Sequence, residues 1–203
     1  MTTDDPRIDE ILNFWFGQGK GTAEICAEKK SLWWSKDEQV DSQIRNRFAD
    51  ITAGVHNGDL AHWQRDARGM LASIVALDQF PRNMYRGDRR SFDCDARARE
   101  LVNTALDQEL DQELLPVQRV FVYMPLEHSE SLVDQDRCVE LFERMLDDAA
   151  DDERAFFEDW LDFARRHRDI ISEFARFPHR NEILGRESTE EENLFLTRPG
   201  SSF

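Results

Sequence analysis

The chain has 203 residues, a formal charge of −16, five Trp and 14 Phe. That acidity argues against a surface that neutralises nucleic-acid phosphates or adheres to an anionic membrane. At this length one core buries roughly 70% of the unfolded surface. No linker is visible, so one domain is expected over 1–203, with frayed ends near 1–5 and 197–203.

Asp5-Pro6 predicts an N-cap followed by proline at the first helical position. Ile8, Ile11, Leu12, Trp15 and Phe16 then fall at helical spacing, and Gly17 stops the run. Residues 17–30 read as a loop. Ser35-Lys36-Asp37-Glu38 reads as a capping box. It opens a helix through Val40, Ile44, Phe48, Ile51 and Val55 that Asn57-Gly58 closes. Arg65 to Phe80 is apolar on almost every side at its centre, which predicts a buried central helix. Pro81 is expected to end it.

Asp93 to Leu106 predicts a largely polar helix. Pro116 to Met124 predicts another, broken or kinked at Pro125, and Ser131 to Leu146 a further one. The acidic run 147–153 reads as a solvated turn. From Asp152 to Phe174, the residues Phe156, Trp160, Phe163, His167, Ile170 and Phe174 step by four and three, which predicts one seam. Phe157, Leu161, Ala164 and Ile171 widen it. Pro178 to Leu184 predicts a short helix, and Ser188-Thr189-Glu190-Glu191 a second capping box before Leu194, Phe195 and Leu196. No stretch alternates with period two, so the fold class is all-α, with about eight helices. A 34-residue repeat with the tetratricopeptide signature is absent.

Two stretches stand out, LDQFPRNMYRG from Leu77 and FARFPHRNEILGR from Phe174. Both run off an apolar helix into Phe-Pro, basic residues and Asn. YMPLEHSE, from Tyr123 to Glu130, lies between them. Asp78, His128 and His167 each end or interrupt an apolar seam, and buried ionisable groups must be paired or shift their pKa. A shared polar centre is therefore expected from Asp78, Arg82, Glu127, His128, His167, Arg176, His179 and Arg180. Asn83, Glu130 and Asn181 are further candidates to pair with it. His167 is expected to bond to Asp78, Glu127 or Glu130, or to a motif backbone group.

Residues 77–90 hold four Arg against two Asp, and 174–186 three Arg against one Glu. Two basic islands in so acidic a chain suit an anion, since Arg presents a planar fork to carboxylate or phosphate. The same Arg residues also serve to pin helix ends on Asp78, Glu127 and Glu130. Glu127, His128 and Glu130, with His167 or His179, are plausible metal donors by type. HExxH and di-iron spacings are missing, so neither metal nor cofactor is expected. Ser129 lies outside any GxSxG elbow. Trp33-Trp34 reads as a packing anchor, and His56 and His62 as loop residues.

Cys26, Cys94 and Cys138 are odd in number and widely spaced, which predicts reduced cytosolic thiols. MTTDDPRIDE lacks a basic and then apolar leader pattern, and no run is long enough to span a membrane. The expected setting is cytoplasmic, as a monomer or small homo-oligomer.

The set NFWFG, LWWSKD, ALDQFPRNMYRG, VYMPLEHSE and RHRDIISEFARFPHRNEILGRESTEEE resembles the bacterial domain of unknown function 924 family, from Ile11 to Leu196. The resemblance implies a tetratricopeptide-like α-α superhelix of stacked antiparallel helix pairs, and no assigned activity. Three functions remain open. One is a binding module holding a small anion or peptide at Asp78, Arg82, Asn83, Arg176, His179, Arg180 and Asn181. Another is an enzyme with His128 or His167 as general acid/base, oriented by Glu127 or Glu130. The third is a structural cluster only.

Overall fold

Residues 4–202 are described in a computed structural model of the protein. Among them lie ten α-helices and no strand. These are α1 (Pro6–Phe16), α2 (Thr22–Trp34), α3 (Glu38–Asn57), α4 (Ala67–Met84), α5 (Asp95–Asp107), α6 (Pro116–Glu127), α7 (Leu132–Asp147), α8 (Arg154–Phe174), α9 (Asn181–Leu184) and α10 (Glu190–Leu196). The all-α expectation holds. The helices number ten rather than about eight, α2 being one that was not expected, and the 178–184 segment is a 3-10 turn followed by α9.

α4 is the axis of the molecule. All but two of its residues are buried, and α1, α3, α5 and α6 pack around it. Phe48 of α3 stacks on Phe80 at 4.7 Å between ring centres, and Trp15 of α1 meets Phe80 edge-on at 5.7 Å. Trp33 donates its Nε1–H to Trp15 O at 2.9 Å, so it anchors α2 as expected, while Trp34 is half exposed. At the start of α4, Gly69 is required by close approach. A Cβ there would collide with the Trp63 carbonyl oxygen.

Neither internal proline ends its helix. α4 runs through Pro81 to Met84, and α6 through Pro125 to Glu127. Each proline sits in a last turn, where its missing N–H forfeits one bond of the ladder and the chain beyond closes it again. Tyr85 N–H reaches Pro81 O at 2.9 Å, and His128 N–H reaches Met124 O at 2.9 Å.

The expected 17–30 loop is half helix. The stretch 22–34 carries only a weak stripe, Thr22, Ile25, Cys26 and Trp33, and packing on α1 and α6 forms it. Its neighbour α3 is capped by Asp37, which accepts from Gln39 N–H at 2.8 Å, rather than by Ser35. His56 lies on α3, not in a loop.

α8 is rotated from the expected seam. Its buried face is Phe157, Leu161, Ala164, His167, Ile170 and Ile171, while Phe163 is 46% exposed under the guanidinium of Arg166. Phe156 and Trp160 are half-buried at the edge. Ile170, Ile171 and Phe177 form a second small core with Phe174 and with Phe195 of α10. The second capping box forms one residue later than expected, with Thr189 and Glu192 in place of Ser188 and Glu191, and Ser201 Oγ donates to Leu196 O at 3.2 Å. The three cysteines are free and buried. Among the described residues no helix is long and apolar enough to cross a membrane.

Candidate functional site

The passage of both helices through their prolines determines what meets at the centre. In α4, Asp78 and Arg82 stay four residues apart on one face. In α6, Glu127 and His128 arrive at the helix end beside them. The turn after α8 then brings Phe177 to Arg180 across the same region.

Asp78 is fully buried. One carboxylate oxygen lies 2.8 Å from His128 Nδ1, and the other accepts from Gln79 Nε2 at 2.6 Å. The Arg82 guanidinium sits 3.6 Å away, donates to the Asp78 carbonyl oxygen, and forms a two-pronged pair with Asp95 at 2.9 and 3.2 Å. Burial alone would push the Asp78 carboxyl up. The charges of His128 and Arg82 and the bonds from His128 and Gln79 outweigh it and hold the group at about 2. His128 is itself held below its ordinary value by burial and by Arg82. At neutral pH it is therefore Arg82 and the hydrogen bonds that keep Asp78 ionised. A carboxylate only accepts, so the proton of His128 rests on Nδ1. Its Nε2 makes no hydrogen bond among the described residues.

His167 turns inward from α8. Its Nδ1–H donates to Phe163 O at 2.9 Å, one turn back, with Glu127 Oε1 at 3.4 Å. The bond shown for His167 is thus to a local carbonyl, with the Glu127 carboxyl alongside. Burial drives the two groups apart from an ion pair. The Glu127 carboxyl is pushed up to about 8 by burial and then by the Asp78 charge. The His167 ring is pulled down to about 3, chiefly by burial. Both are neutral at pH 7. The His128 and His167 rings stand 6.4 Å apart.

Arg180 is 7% exposed, with its guanidinium 4.3 Å from the ring centre of Phe177 and 4.8 Å from that of Phe92. Nη1 donates to His128 O at 2.9 Å. Its Nε is buried without a partner, and among the described residues no carboxylate pairs with it. Burial, and then the Arg82 charge, lower its pKa to about 10, so it remains a cation at neutral pH. Burial likewise lowers His179, packed against Phe177, to about 4, with Arg180 adding to the shift.

The remaining candidates face other tasks. Glu130 accepts from Phe177 N–H at 2.9 Å and grips Arg186 at 2.7 and 2.9 Å. Arg176 reaches away from the centre to Glu192, at 2.5 and 2.7 Å, and Asn181 bonds to Ser188 and the same Glu192. Asn83 donates to Asp41, which also holds Arg86, and so ties the end of α4 to the start of α3. The centre therefore gathers Asp78, Arg82, Glu127, His128, His167, His179 and Arg180, with Glu130 at its rim. Asp95, Phe92 and Arg99 were not legible as members, because they lie on a polar helix and a short turn without any seam. Arg186, inside the second Phe-Pro stretch, did carry a signal.

Beside this centre is an open recess of about 410 Å³, lined by His128, Arg180, Ser129, Ser131, Arg99, Asp95, Glu130, Phe92 and Leu184. A second recess, of about 390 Å³, lies between Glu109, Asp111, Arg137 and Arg144 and shares none of these residues. Among the described residues no three His, Cys, Asp or Glu side chains are grouped to hold a metal ion.

A family model described as a bacterial protein of unknown function, DUF924, matches residues 11–200. A solved structure of a protein of unknown function, ATU0120 from Agrobacterium tumefaciens, is 32% identical, with a TM-score of 0.79. The match covers 94% of this chain and 97% of that one. No curated protein matches the chain.

Proposed function

We propose, for a chain that belongs to the bacterial DUF924 family, that the recess beside His128 binds a small anion or the anionic end of a peptide. The observation that carries this reading is Arg180. A guanidinium this buried is ordinarily matched by a carboxylate. Here the nearby carboxylates are already engaged, Asp95 with Arg82 and Glu130 with Arg186. The cation at the recess wall is left to an external partner.

A second reading is favoured by the Asp78–His128 pair. Asp78 fixes the tautomer and leaves Nε2 of His128 with the lone pair of a general base, beside the recess where an anionic substrate would be held. Glu127, neutral and buried, lies against His167, 3.4 Å from its Nδ1, rather than against His128. We read the chain as one domain, its helix pairs stacked as a tetratricopeptide-like α-α superhelix. The setting we infer is cytoplasmic, as a monomer or small homo-oligomer without nucleic-acid or membrane partners. The −16 charge and three buried thiols support that setting.

The test is a thermal-shift and calorimetric titration with small carboxylates and small phosphates, on the parent and on Arg180→Gln. Anion binding that disappears in the variant supports the reading. If neither class of anion binds the parent, or if binding is unchanged in the variant, the reading is wrong.

A further inference from the structure

We infer that the recess recognises a phosphoryl group, held between Arg180 and the N-terminus of α7, with the organic part of a phosphate monoester lying on Phe92 and Leu184. This rests on the anion-binding reading above and names its ligand class.

α7 begins in the recess wall. Ser131 is its N-cap, with extended backbone at φ −99° and ψ 121°, and its side chain makes no capping hydrogen bond. The first N–H groups of a helix have no partner inside the helix, and the aligned peptide dipoles add partial positive charge at that end. Such an end is an anion site when something else aims at it. Here that second feature is Arg180, more than nine-tenths buried, without a carboxylate partner and lining the same recess. The segment between them, Ser129 to Ser131, also lines the recess and is held in place. Ser129 Oγ donates to Asp134 Oδ2 at 2.6 Å and receives the Ser131 N–H at 3.2 Å. Asp134, in the first turn of α7, is an acid at the wrong end for an anion. It is occupied by Ser129 and by Arg99 at 3.5 Å.

The directions of approach favour phosphate over carboxylate. One fork from Arg180 satisfies a planar carboxylate by itself. A helix end on one side and a guanidinium on another together suit an oxyanion whose oxygens point out of a single plane. Phe92 and Leu184 add apolar wall that free phosphate does not use.

The experiment is calorimetric titration of the full chain with phenyl phosphate, inorganic phosphate and benzoate, on the parent, Arg180→Gln and Ser131→Asp. Ser131 is exposed, and Asp is a favoured N-cap residue, so Ser131→Asp keeps or raises the melting temperature while placing a carboxylate where the phosphoryl group would sit. The expected result is that phenyl phosphate binds the parent at least about tenfold tighter than benzoate, and that both variants weaken it by about tenfold or more. Inorganic phosphate binding as tightly as phenyl phosphate would assign the site to free phosphate, with the phosphoryl recognition intact. Benzoate matching or exceeding phenyl phosphate overturns the inference while leaving the broader anion reading standing. So does a Ser131→Asp protein that binds phenyl phosphate like the parent. No binding by any of the three overturns both.

Discussion

His128 Nδ1 lies 2.8 Å from the carboxylate of Asp78, joining the ends of α6 and α4 across fifty residues of chain. This one contact sets the tautomer of the histidine and supplies a partner for a fully buried carboxylate.

Asp78→Asn is expected to cost about 2–4 kcal/mol of unfolding free energy. Arg82 keeps Asp95, but His128 loses its charged acceptor and Gln79 its carboxylate partner. Chemical denaturation with an unchanged m-value is the measurement. A loss below about 0.5 kcal/mol would show that the contact contributes no more than a surface pair.

Glu127 gives the protein a distinctive pH dependence. In the unfolded chain its carboxyl ionises near the ordinary value of 4.5, whereas in the fold it keeps its proton to about 8. Between those values the folded state binds one more proton than the unfolded state, so this group's contribution to stability falls as pH rises. The buried rings of His167 and His179, lowered to about 3 and about 4, act in the opposite sense, losing stability as pH drops below the ordinary histidine value. The comparison that isolates Glu127 is Glu127→Gln against the parent. From pH 5 to pH 8 the variant should gain on the parent, with a slope approaching about 1.4 kcal/mol per pH unit. Parallel stability curves would mean that Glu127 is ionised in the fold.

Glu192 fastens the C-terminal segment. It is 2% exposed, holds Arg176 by two bonds and caps Thr189 N–H at 2.8 Å. Arg176 and these bonds keep its carboxyl at about 2. Its stabilisation is therefore present above the ordinary glutamate range and lost as pH falls towards 2. Glu192→Gln should leave α4 protected while hydrogen exchange in α10 accelerates by about tenfold or more. Equal acceleration in α4 and α10 would place this segment within the global unfolding unit instead.

Gly69→Ala sets two effects against each other. Alanine gains up to about 1 kcal/mol of helix propensity, but its Cβ runs into the Trp63 carbonyl oxygen, a backbone atom that cannot swing aside. Overpacking of that kind costs about 1–3 kcal/mol, so net destabilisation is expected in a denaturant melt. A more stable variant would mean that the turn around Trp63 yields easily.

Much of this protein is determined by the sequence alone. The all-round apolar run of α4, the Asn57-Gly58 stop and the presence of a capping box before α10, though not its register, are local, because propensity and hydrogen bonds within a few residues decide them. The meeting of Asp78, His128 and Arg180 was also legible, since ionisable groups at the ends of apolar seams must be buried together. The tertiary structure decided what depends on distant partners. Periodicity placed the α8 residues around their axis, but only packing on α6 and α7 turned Phe157 inward and Phe163 to solvent. Local rules stopped α4 at Pro81, but burial on every side carried it on to Met84. The seven arginines of the two basic islands look alike in sequence. Only the positions of Asp95, Glu192 and Glu130 determined that Arg82, Arg176 and Arg186 are paired, and that Arg180 is left with aromatic faces and a backbone carbonyl.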